Sequence, residues 1–125
     1  MTDDLPESDF FQKIKSHLGE EHERRLHLTY SIWASNTRRF RGQPELHTLR
    51  SASSVEDLIA SVRFTSRLMK AAHRALNGGE RRSYVPVAIF ATLRGMPEDQ
   101  FREIWVKPLQ ATKAHLESLR ESGAV

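Results

Sequence analysis

Residues 54–79 read SVEDLIASVRFTSRLMKAAHRALNGG. Ser54 offers a side-chain acceptor for a helix start, and Glu56 and Asp57 put negative charge in the first turn, where the helix dipole is positive. Val55, Leu58, Ile59, Val62, Met69, Ala72 and Leu76 then recur at steps that gather apolar groups on one helical face. Asn77-Gly78-Gly79 supplies the stop, because glycine tolerates the left-handed conformation beyond a C-cap. A rod with one long apolar face is stable only when other elements cover that face, so the flanking segments must provide the cover.

On the N-terminal side, Ser8-Asp9 precedes Phe10, Phe11, Ile14 and Leu18, which predicts an amphipathic helix that Gly19 either ends or lets run on. Glu20 to Phe40 carries Leu26, Tyr30 and Trp33 at helical spacing, with Leu28 and Ile32 alongside. Asn36 to Ser54 reads as irregular, with Gly42-Gln43-Pro44 as a turn signal and room for a short helical turn around Glu45–Leu49. On the C-terminal side, Ser83 to Leu93 is apolar on almost every side, and Pro86 suits the first turn of a helix. A strand there would lack a partner, so a central helix is expected, covered by this bundle alone or partly by a second copy or a larger assembly. Gly95-Met96-Pro97 stops that helix, and Glu98-Asp99 opens another whose apolar stripe runs Phe101, Ile104, Trp105, Leu109, Leu116 and Leu119. Pro108 is expected to kink this last helix or divide it in two. Trp33, Trp105, Phe10 and Phe11 are expected core anchors. The expected fold is all-α: one compact bundle of five or six helices, a single domain over residues 1–125 with residues 1–7 as a flexible N-terminal segment.

The length of 125 residues suits one domain. No apolar run approaches the roughly 20 residues of a membrane span. The opening MTDDLPESDF is acidic where a signal peptide would be basic and then apolar. The absence of cysteine removes disulfides, thiolate metal sites and cysteine nucleophiles. These features predict a soluble, cytoplasmic protein that does not engage a membrane.

The net charge of +3 conceals a strong asymmetry: residues 1–30 carry −3, residues 31–95 carry +7 and residues 96–125 carry −1. Fourteen of the 19 basic residues are arginine, the side chain that forks onto phosphate or carboxylate and stacks on planar groups. In the 54–79 stretch Arg63, Arg67, Lys70 and Arg74 follow steps of four, three and four, which line them along one face for about 16 Å. Like charges at this spacing repel, and no acid is interleaved between Asp57 and Glu80. Arg81 and Arg82 follow the glycine turn, and Arg38, Arg39 and Arg41 surround Phe40 in a second cluster. Such a stripe suits the regularly spaced charge of a nucleic-acid backbone, with Thr65, Ser66 and Ser83 as further hydroxyl donors. An aromatic flanked by arginines can also stack on an exposed base, although Phe40 equally suits a core anchor.

The stripe has two other uses: it can meet an acidic partner protein, or this chain's own Asp3, Asp4, Glu7, Glu20, Glu21 and Glu23. His17, His22 and His27 recur every five residues, and at 3.6 residues per turn such rings diverge, so no metal or other cofactor is expected there. Glu23 and His27, four apart, could share an ion or a hydrogen bond, whereas His47, His73 and His115 have no evident partner. No nucleophile elbow or phosphate loop is present, and no polar constellation suggests an enzyme. Val87 to Val106 has the outline of a helix-turn-helix centred on Gly95, in which Gln100 and Arg102 would read bases. Its second helix, however, opens on Glu98-Asp99-Gln100 and adds Glu103. Acids there would be repelled by the groove they should enter. The expectation is therefore a non-catalytic helical protein that holds nucleic-acid backbone. It would do so through Arg38, Arg39, Arg41, Arg63, Arg67, Lys70, Arg74, Arg81 and Arg82, with protein partners or self-association. Small helical subunits of CRISPR effector complexes are similar in size and character, but no residue motif assigns the chain to them. A DNA-binding regulator and a protein-interaction adaptor or inhibitor are the alternatives.

Overall fold

The computed structural model describes residues 9–35, 52–78 and 91–125, with the side chains of residues 28–35 left aside. Helix α1 spans Asp9–Leu18, α2 spans Glu20–Ser35 and α3 spans Val55–Asn77. Residues 91–93 are helical, and the chain then forms α4 (Glu98–Phe101), a π-helical turn (Arg102–Val106) and α5 (Lys107–Ser122). No strand occurs among the described residues, and the protein is all-α.

The start of α3 follows its sequence closely. Ser54 is extended (φ −153°, ψ 163°), and its Oγ accepts from the Asp57 backbone N–H at 3.4 Å. Asp57 returns the contact, its carboxylate accepting from the Ser53 N–H and hydroxyl at 3.0 and 3.1 Å. Its N-terminal half packs Val55, Leu58, Ile59 and Val62 with Phe11, Ile14 and Leu18 of α1, Leu26 of α2, and Leu109, Leu116 and Leu119 of α5. Its C-terminal half packs Met69 and Ala72 with Leu93, Phe101 and Val106 in a second cluster. Ser61 and Thr65 are buried between the two clusters, and the Thr65 hydroxyl is absorbed by the Ser61 carbonyl at 2.9 Å. Side-chain to backbone bonding of this kind lets a hydroxyl sit inside a core without an unpaired donor.

Three joints depart from the simplest reading of the sequence. Gly19 does break the first helix, at φ +78°, so α1 and α2 are separate rods. Gly78 is not left-handed: at φ −99° it caps α3 with a 2.8 Å bond from its N–H to the Arg74 carbonyl. The side chain of Asn77 completes the stop. Its Nδ2 donates to the carbonyls of His73 (2.8 Å) and Leu93 (3.3 Å), while its Oδ1 accepts from the Gly95 N–H at 2.9 Å. One amide thereby ties the end of α3 to the Gly95 turn, where φ is +77°.

The third joint is Pro108. The rod neither stops nor divides there; Phe101, Arg102, Val106 and Lys107 all keep right-handed helical dihedrals. Instead the preceding turn widens, and the Lys107 N–H bonds to the carbonyl of Arg102, five residues back. Proline lacks the N–H that would reach back to residue 104, and its ring would crowd that carbonyl, so a wide turn relieves both problems. The extra residue shifts the buried stripe. It runs Phe101, Val106, Leu109, Thr112, Leu116 and Leu119, with a five-residue first step. Ile104, expected in the core, is 47% exposed, and Trp105 is only half-buried.

Most of the expected irregular segment (all but residues 52–54, which are non-helical), the helical turn at 45–49, residues 1–7 and most of the 83–93 helix lie outside the described residues. Replacing Asn77 by alanine is expected to destabilise the fold by about 0.5–1.5 kcal/mol, the net range for hydrogen bonds that are only partly shielded from water. Urea unfolding of the variant against wild type measures this directly.

Candidate nucleic-acid interface

Because Leu58, Val62, Met69 and Ala72 turn inward, the opposite face of α3 must turn outward, and Arg63, Arg67, Lys70 and Arg74 are all exposed on it. None of the four is within ion-pair distance of a carboxylate among the described residues. Five cations elsewhere are paired, although exposed Arg24 on α2 meets no carboxylate among the described residues. Arg25 pairs with Glu21 (3.5 Å), Arg102 with Glu98 (3.8 Å), Lys113 with Glu117 (3.2 Å), Arg120 with Glu56 (2.8 Å), and Lys107 with Glu103. Of the chain's own acids weighed as a cover for the stripe, Glu21 is engaged by Arg25. Asp3, Asp4 and Glu7 lie outside the described residues. Thr65 is a correction: at 1% exposure it faces the core and offers no hydroxyl to a ligand. Its position, two residues past Arg63 and two before Arg67, puts it on the far side of the helix.

At its C-terminal half the stripe borders a cleft of about 200 Å³. Lys70 and Arg74 stand on one wall, and Arg102 and Gln110 stand on the other, brought there by the π turn and α5. The floor holds His73 and Phe101, whose rings stack at 4.2 Å and 6°. His73 is not partnerless, since its Nε2 also lies 2.8 Å from the Met96 carbonyl. Glu98 shares the rim and is held only by the exposed 3.8 Å pair with Arg102. Exposed pairs contribute little, so Arg102 exchanges readily to a stronger anion. Gln110 is a residue the sequence reading did not single out, and Arg102 entered it only as a base reader of the Gly95-centred helices, because the approach of both to α3 is a tertiary fact; the i, i+4, i+8 row of Arg102, Val106 and Gln110 is the local signal.

Arg38, Arg39, Arg41, Arg81, Arg82, Phe40 and Ser83 lie outside the described residues. The second helix after Gly95 presents Glu98, Asp99, Gln100 and Glu103 to solvent, and Arg102 and Lys107 are tied to acids of that same helix. Its leading surface is thus acidic, with Phe101 and Val106 turned into the core. Compared with known protein families, curated proteins and solved structures, the chain matches none of them.

The histidines form a different arrangement from the divergent set expected. No group of three metal-ligating side chains occurs among the described residues. His22 instead stacks on His115 at 4.5 Å and 10°, and the His115 Nε2–H donates to the His17 carbonyl at 2.6 Å. His22 Nδ1 lies 2.8 Å from the Thr112 hydroxyl, which also accepts from Arg25 at 3.3 Å. Thr112 is fully buried, and its hydroxyl proton has Nδ1 as its acceptor, so the network assigns an unprotonated Nδ1. Burial, followed by the nearby His115 and Arg25, holds His22 below its ordinary pKa of 6.5, with Glu21 acting in the opposite sense.

The folded chain thus binds a proton at His22 less readily than the unfolded chain, and the linkage has a definite sign. Stability from this junction of α1, α2 and α5 is present above about pH 6.5 and falls as acid protonates the unfolded state first. Urea midpoints measured from pH 8 to pH 5 should decline on the acid side, and His22→Gln should flatten that part of the decline.

Proposed function

We propose that this chain is a non-catalytic nucleic-acid-binding protein that holds the phosphate backbone along α3 and the adjoining cleft, as a small component of a larger nucleoprotein assembly. One observation carries the reading: Arg63, Arg67, Lys70 and Arg74 form an exposed row of one sign, without a carboxylate partner among the described residues. A row that repels itself and is left unpaired is costly in an isolated protein, and a backbone of closely spaced phosphates removes that repulsion. Arg102 and Gln110 widen the row into a two-walled track, where a guanidinium fork and an amide can both reach phosphate oxygens. Arg81 and Arg82, a few residues beyond the end of α3, would extend the track, and Arg38, Arg39 and Arg41 would form its second contact.

The contacts proposed are to phosphate and sugar, and the acidic leading surface of the Gly95-centred helices favours backbone holding over base reading. Four phosphate contacts predict that affinity for duplex falls by about a hundredfold between 50 and 200 mM salt. Fluorescence anisotropy with labelled oligonucleotides tests this. The variant Arg63→Glu, Arg67→Glu, Arg74→Glu should lose binding while its helical circular dichroism is unchanged. Full binding by that variant would overturn the reading, and so would a wild-type protein that ignores nucleic acid in low salt and instead co-purifies with an acidic protein.

A further inference from the structure

A second concavity lies on the other side of the last rod. It is a groove of about 520 Å³ between α2 and the π turn, with Arg24, Arg25 and His27 on one wall and Ile104, Trp105 and Pro108 on the other. The two concavities share the π turn as their partition, since Arg102 and Val106 line the cleft while Ile104 and Trp105 line the groove. Three features mark the groove, in which Trp105 packs one side against the second apolar cluster. Ile104 is 47% exposed, the one large hydrophobic so placed among the described residues. Trp105 is half-buried, and its indole Nε1–H is closed to solvent without a hydrogen-bond acceptor among the described residues. Arg24 is exposed and meets no carboxylate among the described residues, whereas Glu21 at the same rim is held by Arg25.

We infer that this groove accepts a nucleobase splayed out of a single strand, stacked against Trp105 and Ile104, while Arg24 holds its phosphate. The inference rests on the nucleic-acid reading of the α3 track and adds to it the class of ligand, single-stranded rather than duplex. A flat aromatic beside an unpaired guanidinium is the combination that grips single strands regardless of sequence, because every base has a π-face and every nucleotide a charge. A duplex keeps its bases stacked and paired, so it could load the phosphate track but would leave this groove unfilled. A base edge brought against Trp105 also carries carbonyl and ring-nitrogen acceptors of the kind its Nε1–H lacks among the described residues. An acidic protein segment would meet Arg24 equally well but gives no reason for a planar ring beside it.

The test uses the full chain with single-stranded DNA and RNA of one mixed sequence, each also annealed to its complement, in low salt. Wild type should bind the single strands more tightly than the duplexes and show quenched tryptophan emission with the single strands. Trp105→Leu should weaken single-strand binding at least about fivefold, leave duplex binding unchanged and lose most of the quenching. Arg24→Glu, at an exposed position, should lower single-strand binding selectively and serves if Trp105→Leu is poorly folded. Equal affinity for single strands and duplexes, or single-strand binding untouched by both variants, would overturn the inference while leaving the α3 track standing. Absence of binding to every strand would overturn both.

Discussion

The structure depends on the two-fold burial of α3. Its N-terminal half closes one apolar cluster with α1, α2 and α5, and its C-terminal half closes another with Leu93, Phe101 and Val106. A single rod that serves two clusters on one side leaves only its opposite side to water. Everything charged in its sequence must therefore collect there. The exposed row of Arg63, Arg67, Lys70 and Arg74 is the geometric complement of the core. Several other cations have an acid four residues away and pair with it: Arg25 with Glu21, Lys107 with Glu103, Lys113 with Glu117. From Arg63 to Arg74 the helix carries no acid, and local pairing is closed to the row.

The π turn is the second determinant. One wide turn ahead of Pro108 advances the buried stripe from Phe101 to Val106, which turns Ile104 out of the core, leaves Trp105 at its edge and sets Arg102 across the cleft from Lys70 and Arg74. A proline that merely broke the helix would have separated these groups. By lengthening the turn, it gives the rod two concave sides, a polar cleft against α3 and a groove with an apolar wall against α2. Wide turns of this kind recur at functional positions because they expose side chains that a regular helix would bury.

Much of this was legible before any coordinates. The Ser54 cap, the apolar face of α3 and the turn at Gly95 each rest on interactions within a few residues, and local sequence reports them faithfully; at Gly19 it left a break and a continuous helix equally open. The outward row on α3 was legible for the same reason, since it follows from helical period alone. What escaped depends on distant partners or on an irregular period. Ile104 read as core because a 3.6-residue repeat does not anticipate an inserted residue, whereas Trp105 does pack on the second cluster but only by its edge position. Thr65 read as a surface hydroxyl because its acceptor, the Ser61 carbonyl, is visible only once the helix exists. His73 and His115 lacked evident partners because those partners, Phe101, Met96, His22 and His17, are brought up by packing. Asn77 marked a helix end in the sequence, but its clasp on Leu93 and Gly95 is tertiary.

The central claim is that the cations of α3 stand open and are the groups that meet a polyanion. Side-chain NMR of the arginine Nε–H groups reads this most directly, during addition of a short oligonucleotide and its reversal with salt. The account predicts that Arg63, Arg67 and Arg74 shift together and return together, while Arg120, held by Glu56, stays in place. Movement of Arg120 with the α3 arginines silent, or no movement at all, would contradict it.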